Sequence, residues 1–184
     1  QNIYDKAKEL NIELVDLTCP KVLHIHKIAE EYAKKGYYIF IVGKANHPEM
    51  IGTISFCGDS YYIIEKEEDT LNAISAFKKS SKENALVISQ TTYSLEKFNN
   101  ITDKIKENIQ PENLEIKNTI CAATKQRQEE TAEIAKQVDT MIIVGGKHSS
   151  NSTKLYELAK KYCNHVLFVE TENEININDI KGRY

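Results

Sequence analysis

Two cysteines, two polar loops and one hydroxyl-rich strand end carry the residue types and spacing that suit chemistry. Cys19 stands in DLTCP and Cys121 in TICAAT, each between an apolar run and a helix-like stretch. Asn46-His47-Pro48-Glu49 places an imidazole and a carboxylate around a proline that suits the first turn of a helix. Backbone N–H groups at a helix start favour an anion. His47 can bind phosphate or donate a proton, and Glu49 can carry one. The same loop also fits a Glu answering the helix dipole beside an exposed His. His148-Ser149-Ser150-Asn151-Ser152 collects hydroxyls and an amide ahead of an amphipathic stretch. Donors of that kind suit phosphate oxygens, and a plain N-cap needs only one of them. The loop lacks the G-x-x-x-x-G-K-[ST] pattern, so it is not a Walker motif. Gln90-Thr91-Thr92-Tyr93-Ser94 ends the apolar run ALVIS, where Thr92 or Ser94 can equally cap the next helix. Lys125, Gln126 and Arg127 follow Cys121 and either add positive charge or coat a helix.

The spacing repeats. Residues 16–50 match residues 118–152 at a shift of 102: strand, Cys, helix, apolar strand, Gly-Lys loop. Cys19 to Gly43 and Cys121 to Gly145 are both 24 residues, and Cys19 to His47 and Cys121 to Ser149 are both 28. In a parallel α/β unit, both loops open on the same edge of the sheet. Each repeat would then point a cysteine and a polar loop at one cavity. Two thiols hold an iron–sulfur cluster less well than three or four, and a third copy upstream of Gln1 would complete the set. The alternative is a purely structural repeat, with cysteine as a small core hydrophobe.

The elements that position these loops read as alternating strands and helices. The strand candidates are 12–18, 37–43, 61–65, 85–91, 114–120, 140–146 and 165–171. IFIV, ALVI and MIIV are apolar without alternation, as strands covered on both faces are. Between them lie helical patterns. One opens at Pro20, carries Val22, Ile25, Ala29, Tyr32 and Ala33, and stops at Gly36. Others carry Leu71, Ile74 and Phe77; Leu95, Phe98, Ile101 and Ile105; the stretch from Cys121 to Ile134; and Leu155, Leu158 and Ala159. The KEEDT stretch at 66–70 reads as a solvated helix start. Alternation of this kind predicts βαβ units and mostly parallel sheets.

Composition narrows the function classes. The 184 residues carry 24 Lys+Arg and 27 Asp+Glu, a net charge of −3, which argues against a duplex nucleic-acid binder. No apolar run approaches a membrane span, and the N-terminal QNIYDKAKEL is too polar for a signal peptide. Without a C-x-x-C, the four cysteines read as thiols in a reducing, cytoplasmic compartment. Cys57 and Cys163 lie in less polar contexts and read as core. His24 and His26, two apart on a helix, cannot share a metal, and His165 reads as structural. The chain starts with Gln inside a helical pattern and ends on NDIKGRY, a helix exit, so both ends read as cut from a longer protein.

DLTCP, HPEM-x-G, QTTYS, TICAATKQRQ and GGKHSSNSTKL, in this order from Thr18 to Leu155, resemble the 4-hydroxy-3-methylbut-2-enyl diphosphate reductase family, LytB/IspH. That resemblance implies an α/β fold. Two pseudo-repeated αβα domains with small, mostly parallel sheets would form part of a three-domain trefoil. Residues 1–19 would end a first domain, 20–120 would be the second and 121–184 an incomplete third. It implies a [4Fe-4S] cluster held by three cysteines, with Cys19 and Cys121 matching two of them and one iron open to the substrate hydroxyl. It also implies reductive removal of that hydroxyl to give isopentenyl and dimethylallyl diphosphate, the last step of the non-mevalonate isoprenoid pathway. Ferredoxin or flavodoxin would supply electrons to a monomer, with no membrane or nucleic-acid partner. By motif, Glu49 matches the proton-relay carboxylate, His47 a diphosphate-binding His and Thr91 a Thr beside the substrate. Ser149, Ser150 and Asn151 match the diphosphate loop.

The departures are the first-domain cysteine in its G-F-C context, two first-domain His residues and the final A-G-A-S-T serine. None of these is in the sequence, and His148 stands where many members carry Asn. The expectation is therefore that this chain alone neither holds a stable four-iron cluster nor turns over. Two other readings fit the residues: a phosphosugar- or nucleotide-binding α/β module with incidental cysteines, and a redox or metal sensor using Cys19 and Cys121.

Overall fold

A computed structural model describes residues 2–182, so the reading of Gln1 and the end of NDIKGRY at Arg183-Tyr184 fall outside the described residues. By packing, residues 1–91 and 96–119 form one compact unit. Residues 92–95 and 120–184 form another.

The first unit opens with helix α1 (Asn2–Glu9) and an irregular segment, then α2 (Pro20–Lys34) and β1 (Tyr38–Val42). The next elements are α3 (Pro48–Ile54), β2 (Tyr61–Ile64), α4 (Thr70–Lys79), β3 (Ala85–Ser89), α5 (Leu95–Lys106) and β4 (Leu114–Ile116). The sheet order is β2-β1-β3-β4, with every pair parallel. Parallel strands need crossovers, and α3, α4 and α5 supply them. All five residues of β1 and all five of β3 are buried, as strands covered on both faces must be. One core layer joins Ile25, Ile28, Ala29 and Tyr32 of α2 to Ile39, Ile41, Leu86 and Ile88 of the sheet. Gly36 ends α2 at φ 82°, a left-handed position that suits glycine.

The second unit contains α6 (Ala122–Ala135), β5 (Thr140–Val144), α7 (Ser150–Ala159) and β6 (His165–Val169). The two strands pair in parallel. Their small core is Ala135, Ile143, Ala159 and Cys163, with Met141, Leu155, Tyr156, Val166 and Phe168 against it.

The α/β class with small parallel sheets is as the alternation implies. Four local expectations fail, each for a physical reason. Residues 12–18 form no strand: the Asp16 carboxylate takes the Thr18 N–H at 2.9 Å, a turn-like bond, and Leu17 is 90% exposed. The stretch 114–120 is a strand only to Ile116. Beyond it, Thr119 Oγ1 accepts the Ser89 N–H at 2.8 Å and donates to the Ser89 carbonyl at 2.6 Å, so a side chain replaces the ladder. MIIV is not covered on both faces: Val144 is 69% exposed, because the core of this two-stranded sheet lies on the Ile143 side. Leu71 points outward from α4, whose buried positions are Thr70, Ala73, Ile74 and Phe77.

Candidate functional site

The sheet order β2-β1-β3-β4 reverses direction between β1 and β3. In open parallel sheets, ligands bind at the carboxyl ends of the strands flanking such a reversal. Those ends carry Gly43–Glu49 after β1 and Gln90–Thr91 after β3. The two loops are bonded together. Glu49 Oε1 accepts the Thr91 N–H at 2.6 Å, and Glu49 Oε2 accepts the Thr91 hydroxyl at 2.7 Å. Gln90 Oε1 accepts the Lys44 N–H at 3.2 Å. His47 caps α3, its Nδ1 accepting the Glu49 N–H at 3.2 Å, which leaves Nε2 as the ring's donor. Thr91 is buried while His47 and Glu49 are half-buried, so the pair faces outward from a fixed base. The structure thus brings His47, Glu49 and Thr91 to one edge.

Gly43 is required there. A Cβ at this position would lie 2.7 Å from Met50 Sδ and 2.8 Å from Gln90 Cβ, so α3 and the β3 end close on the bare backbone.

The second unit builds an equivalent loop after β5. A Cβ at Gly145 would collide with the Ser152 side chain. Ser149 caps α7, its Oγ accepting the Ser152 N–H at 3.3 Å. Thr92 Oγ1 donates to Ser150 Oγ at 3.4 Å. Asn151 Oδ1 is buried with no hydrogen-bond partner. A buried polar atom without a partner at a helix head is a place where a ligand can complete the bonding. Ser149, Ser150 and Asn151 therefore stand together. His148 is exposed.

The cysteines fall into two kinds. Cys19 (φ −51°, ψ 132°) and Cys121 (φ −61°, ψ 134°) are N-cap residues of α2 and α6, and neither side chain caps its helix. Cys19 is exposed and Cys121 half-buried, so each presents a thiol. Thiolates are the ligands an iron–sulfur cluster uses. Each thiol, taken by itself, suits one place in such a site, which usually takes three or four. Among the described residues, no three His, Cys, Asp or Glu side chains gather as a metal site. Cys57 and Cys163 are buried in the cores. Burial pushes the Cys57 thiol up to about 12. Cys163 Sγ donates to the His165 carbonyl at 3.3 Å.

Lys125, Gln126 and Arg127 are exposed and coat α6, Lys125 lying 3.8 Å from Glu129. The residues the motif reading missed are their neighbours Thr124 and Gln128, which are buried. Their signal was available: 124, 128, 131 and 135 recur at helical spacing. They are polar at the start of the stripe, which hid them from an apolar search.

The family model described as LytB protein matches residues 1–183. A 4-hydroxy-3-methylbut-2-enyl diphosphate reductase from Alkaliphilus oremlandii is 40% identical over 183 residues, covering 99% of this chain and 63% of that protein. The solved structure of an (E)-4-hydroxy-3-methyl-but-2-enyl diphosphate reductase, titled as the terminal enzyme of the non-mevalonate pathway, aligns with TM-score 0.61 and 30% identity. It covers 97% of this chain and 62% of that one. The corresponding reductase structure from Plasmodium falciparum aligns with TM-score 0.83 and 26% identity, over 96% and 54%. The chain spans about three-fifths of the length of the curated relatives it matches. With the ordered motifs at the strand ends and a match along almost its whole length, this chain belongs to the LytB protein family.

Proposed function

We propose that this chain carries the diphosphate-binding and proton-transfer residues of a 4-hydroxy-3-methylbut-2-enyl diphosphate reductase, working in a reducing cytoplasm. The observation that carries the reading is the Glu49 carboxylate locked by both Thr91 donors at the strand reversal. Two electrons and two protons enter, the C–O bond of the allylic alcohol breaks, and water leaves with isopentenyl or dimethylallyl diphosphate as the other product. Glu49 is the group on this chain that delivers a proton. Its two oxygens are oriented by Thr91, so a proton on either faces a fixed direction. His47 donates through Nε2 to a diphosphate oxygen. Ser149 and Ser150 add hydroxyl donors at the head of α7, and Asn151 beside them adds its amide N–H. A [4Fe-4S] cluster, when bound, supplies the electrons and a Lewis-acidic site for the hydroxyl, with ferredoxin or flavodoxin as its donor. Cys19 and Cys121 are the two thiols this chain offers to it.

The test uses the full-length protein after anaerobic reconstitution. Cys19→Ser and Cys121→Ser are each expected to lower bound iron and acid-labile sulfide. Glu49→Gln is expected to keep iron and lose about a hundredfold in turnover, the usual scale of one proton-transfer group. Full iron in both cysteine variants, or undiminished turnover in Glu49→Gln, would overturn the assignment.

A further inference from the structure

Strand β1 lies between β2 and β3, and the loop that leaves it is stapled to both neighbours. On one side, Gln90 directly follows β3, and its Oε1 accepts the Lys44 N–H at 3.2 Å. On the other, Glu65 directly follows β2, and its Oε1 accepts the Ala45 N–H. Gly43 leaves room for the first staple: a Cβ there would stand 3.0 Å from Gln90 Oε1. The Lys44 carbonyl in turn accepts the His47 N–H at 3.0 Å, and His47 Nδ1 accepts the Glu49 N–H. Glu49 then returns to Thr91, the residue after Gln90. The bonds therefore close a ring, from Gln90 through Lys44, His47 and Glu49 to Thr91, inside one compact unit.

We propose that Gln90 and Glu65 are positioning residues: they hold the start of the β1 loop and thereby set where His47 stands relative to Glu49. This rests on the reading of His47 and Glu49 as substrate-handling residues. Thr91 fixes the Glu49 end of the loop and the two staples fix the other end, with His47 between them. A short loop held at both ends has few conformations left to lose, so its imidazole is placed before a ligand arrives. The Lys44 and Ala45 N–H groups are spent on the staples and are not offered to an anion, which leaves that contact to the His47 side chain. Two features mark the staples as more than incidental. Gln90 is 1% exposed, and burying an amide at a strand end is costly unless its hydrogen bonds offset the lost water. The Glu staple also recurs in the second unit: Glu170 directly follows β6, and its Oε1 accepts the Lys147 N–H at 2.7 Å. Lys147 stands 102 residues after Ala45, and each leads by two residues to a loop side chain of the site, His47 or Ser149. Gln90 and Glu65 have further interactions as well, so order at Ala45 is read beside that at His47 as a direct report on the staple.

The test is ¹⁵N relaxation of the backbone amides in this chain, together with a titration of the His47 ring resonances with inorganic pyrophosphate. Glu65→Leu removes the exposed acceptor, and Gln90→Met removes the buried one at similar length. Each is expected to drop the order parameters of Ala45 and His47 from about 0.85, the value of rigid backbone, toward about 0.6, where backbone is flexible. Glu49 should stay rigid, since Thr91 still holds it. Glu65→Gln keeps an acceptor oxygen and should show wild-type order at both residues. Compared with Glu65→Gln, which has lost the same charge, Glu65→Leu should bind pyrophosphate at His47 roughly fivefold more weakly, the scale of one lost hydrogen bond. Two results would overturn the proposal. One is a lowered melting midpoint with Ala45 and His47 as ordered as in wild type, which is what packing alone would give. The other is Glu65→Gln as mobile as Glu65→Leu, which would assign the effect to charge. If Gln90→Met does not fold, the two Glu65 variants decide, because Glu65 lies at the surface. If wild-type His47 does not respond to pyrophosphate, its reading as a diphosphate ligand fails, while the order parameters still decide the staples.

Discussion

Residues 16–50 and 118–152 build the same device twice, and the two copies diverge in what covers them and what they present. Both start with a cysteine at a helix N-cap with nearly equal dihedrals. Both run into a parallel strand that ends on a glycine whose Cβ would clash with the helix beyond, Gly43 with Met50 and Gly145 with Ser152. In both, a Glu directly after the partner strand accepts a loop N–H: Glu65 from Ala45, and Glu170 from Lys147 at 2.7 Å. The scaffold is thus conserved between the copies. In the first, His47 and Glu49 supply a titratable pair; in the second, Ser149, Ser150 and Asn151 supply neutral donors. The difference teaches that the two copies share one backbone device and part only in their loop side chains, titratable in the first and neutral in the second.

The copies differ most in burial, and the largest expected effect follows from that. Phe40 is fully buried in β1, whereas Ile142, its counterpart at the same shift in β5, is 36% exposed. Phe40→Ala should cost about 3–5 kcal/mol, the range for deleting a buried aromatic. Ile142→Ala should cost about 1 kcal/mol, since part of that side chain already meets water. Urea unfolding of both variants checks this. Equal losses would mean that the second strand is as well covered as the first, contrary to its exposure.

The two glycines sharpen the comparison at the next scale down. Gly43→Ala and Gly145→Ala should each destabilise by about 1–3 kcal/mol, the cost of forcing a close-packed site apart. Rescue should differ. At Gly145 the clash is with one side chain, so adding Ser152→Gly should recover most of the loss in a double-mutant cycle. At Gly43, Gln90 Cβ remains 2.8 Å away after Met50→Ala, so that pair should recover little. Equal rescue at both sites would show that the first loop is not held by the β3 end.

Much of this was legible in advance. Six of the seven strand candidates are strands, because buried parallel strands leave uninterrupted apolar runs such as IFIV and ALVI. The seventh, 12–18, has the composition of a strand, but Asp16 spends its carboxylate on Thr18 and no ladder forms. The polar loops were legible because hydroxyls in excess of capping need are rare. The Glu49–Thr91 bond was not, since 42 residues separate the partners and only the strand order β2-β1-β3-β4 brings them together. Gln128 was hidden for the same reason: its partners lie 33 and 35 residues away, in a segment that leaves one unit to pack with the other.

The smallest effect concerns the four thiols, one exposed-edge and one core cysteine from each unit. Cys19 is exposed and Cys121 half-buried; Cys57 and Cys163 are buried. Desolvation holds the Cys57 thiol up at about 12, against an ordinary value of 9.0. At pH 8 about one Cys57 in ten thousand is ionised, and thiolate is the reactive form. Iodoacetamide at pH 8 should therefore label Cys19 first and Cys121 next, with Cys57 labelled only as fast as the chain opens. The linkage runs the same way. Folding favours the neutral Cys57 thiol, so its contribution to stability is whole below pH 9 and is lost as pH rises from 9 toward 12. Cys57→Ala should flatten that alkaline limb, at the cost of a small cavity beside Met50. Labelling of Cys57 in the native chain at a rate near that of Cys19 would erase the distinction between thiols presented to a site and thiols spent on packing.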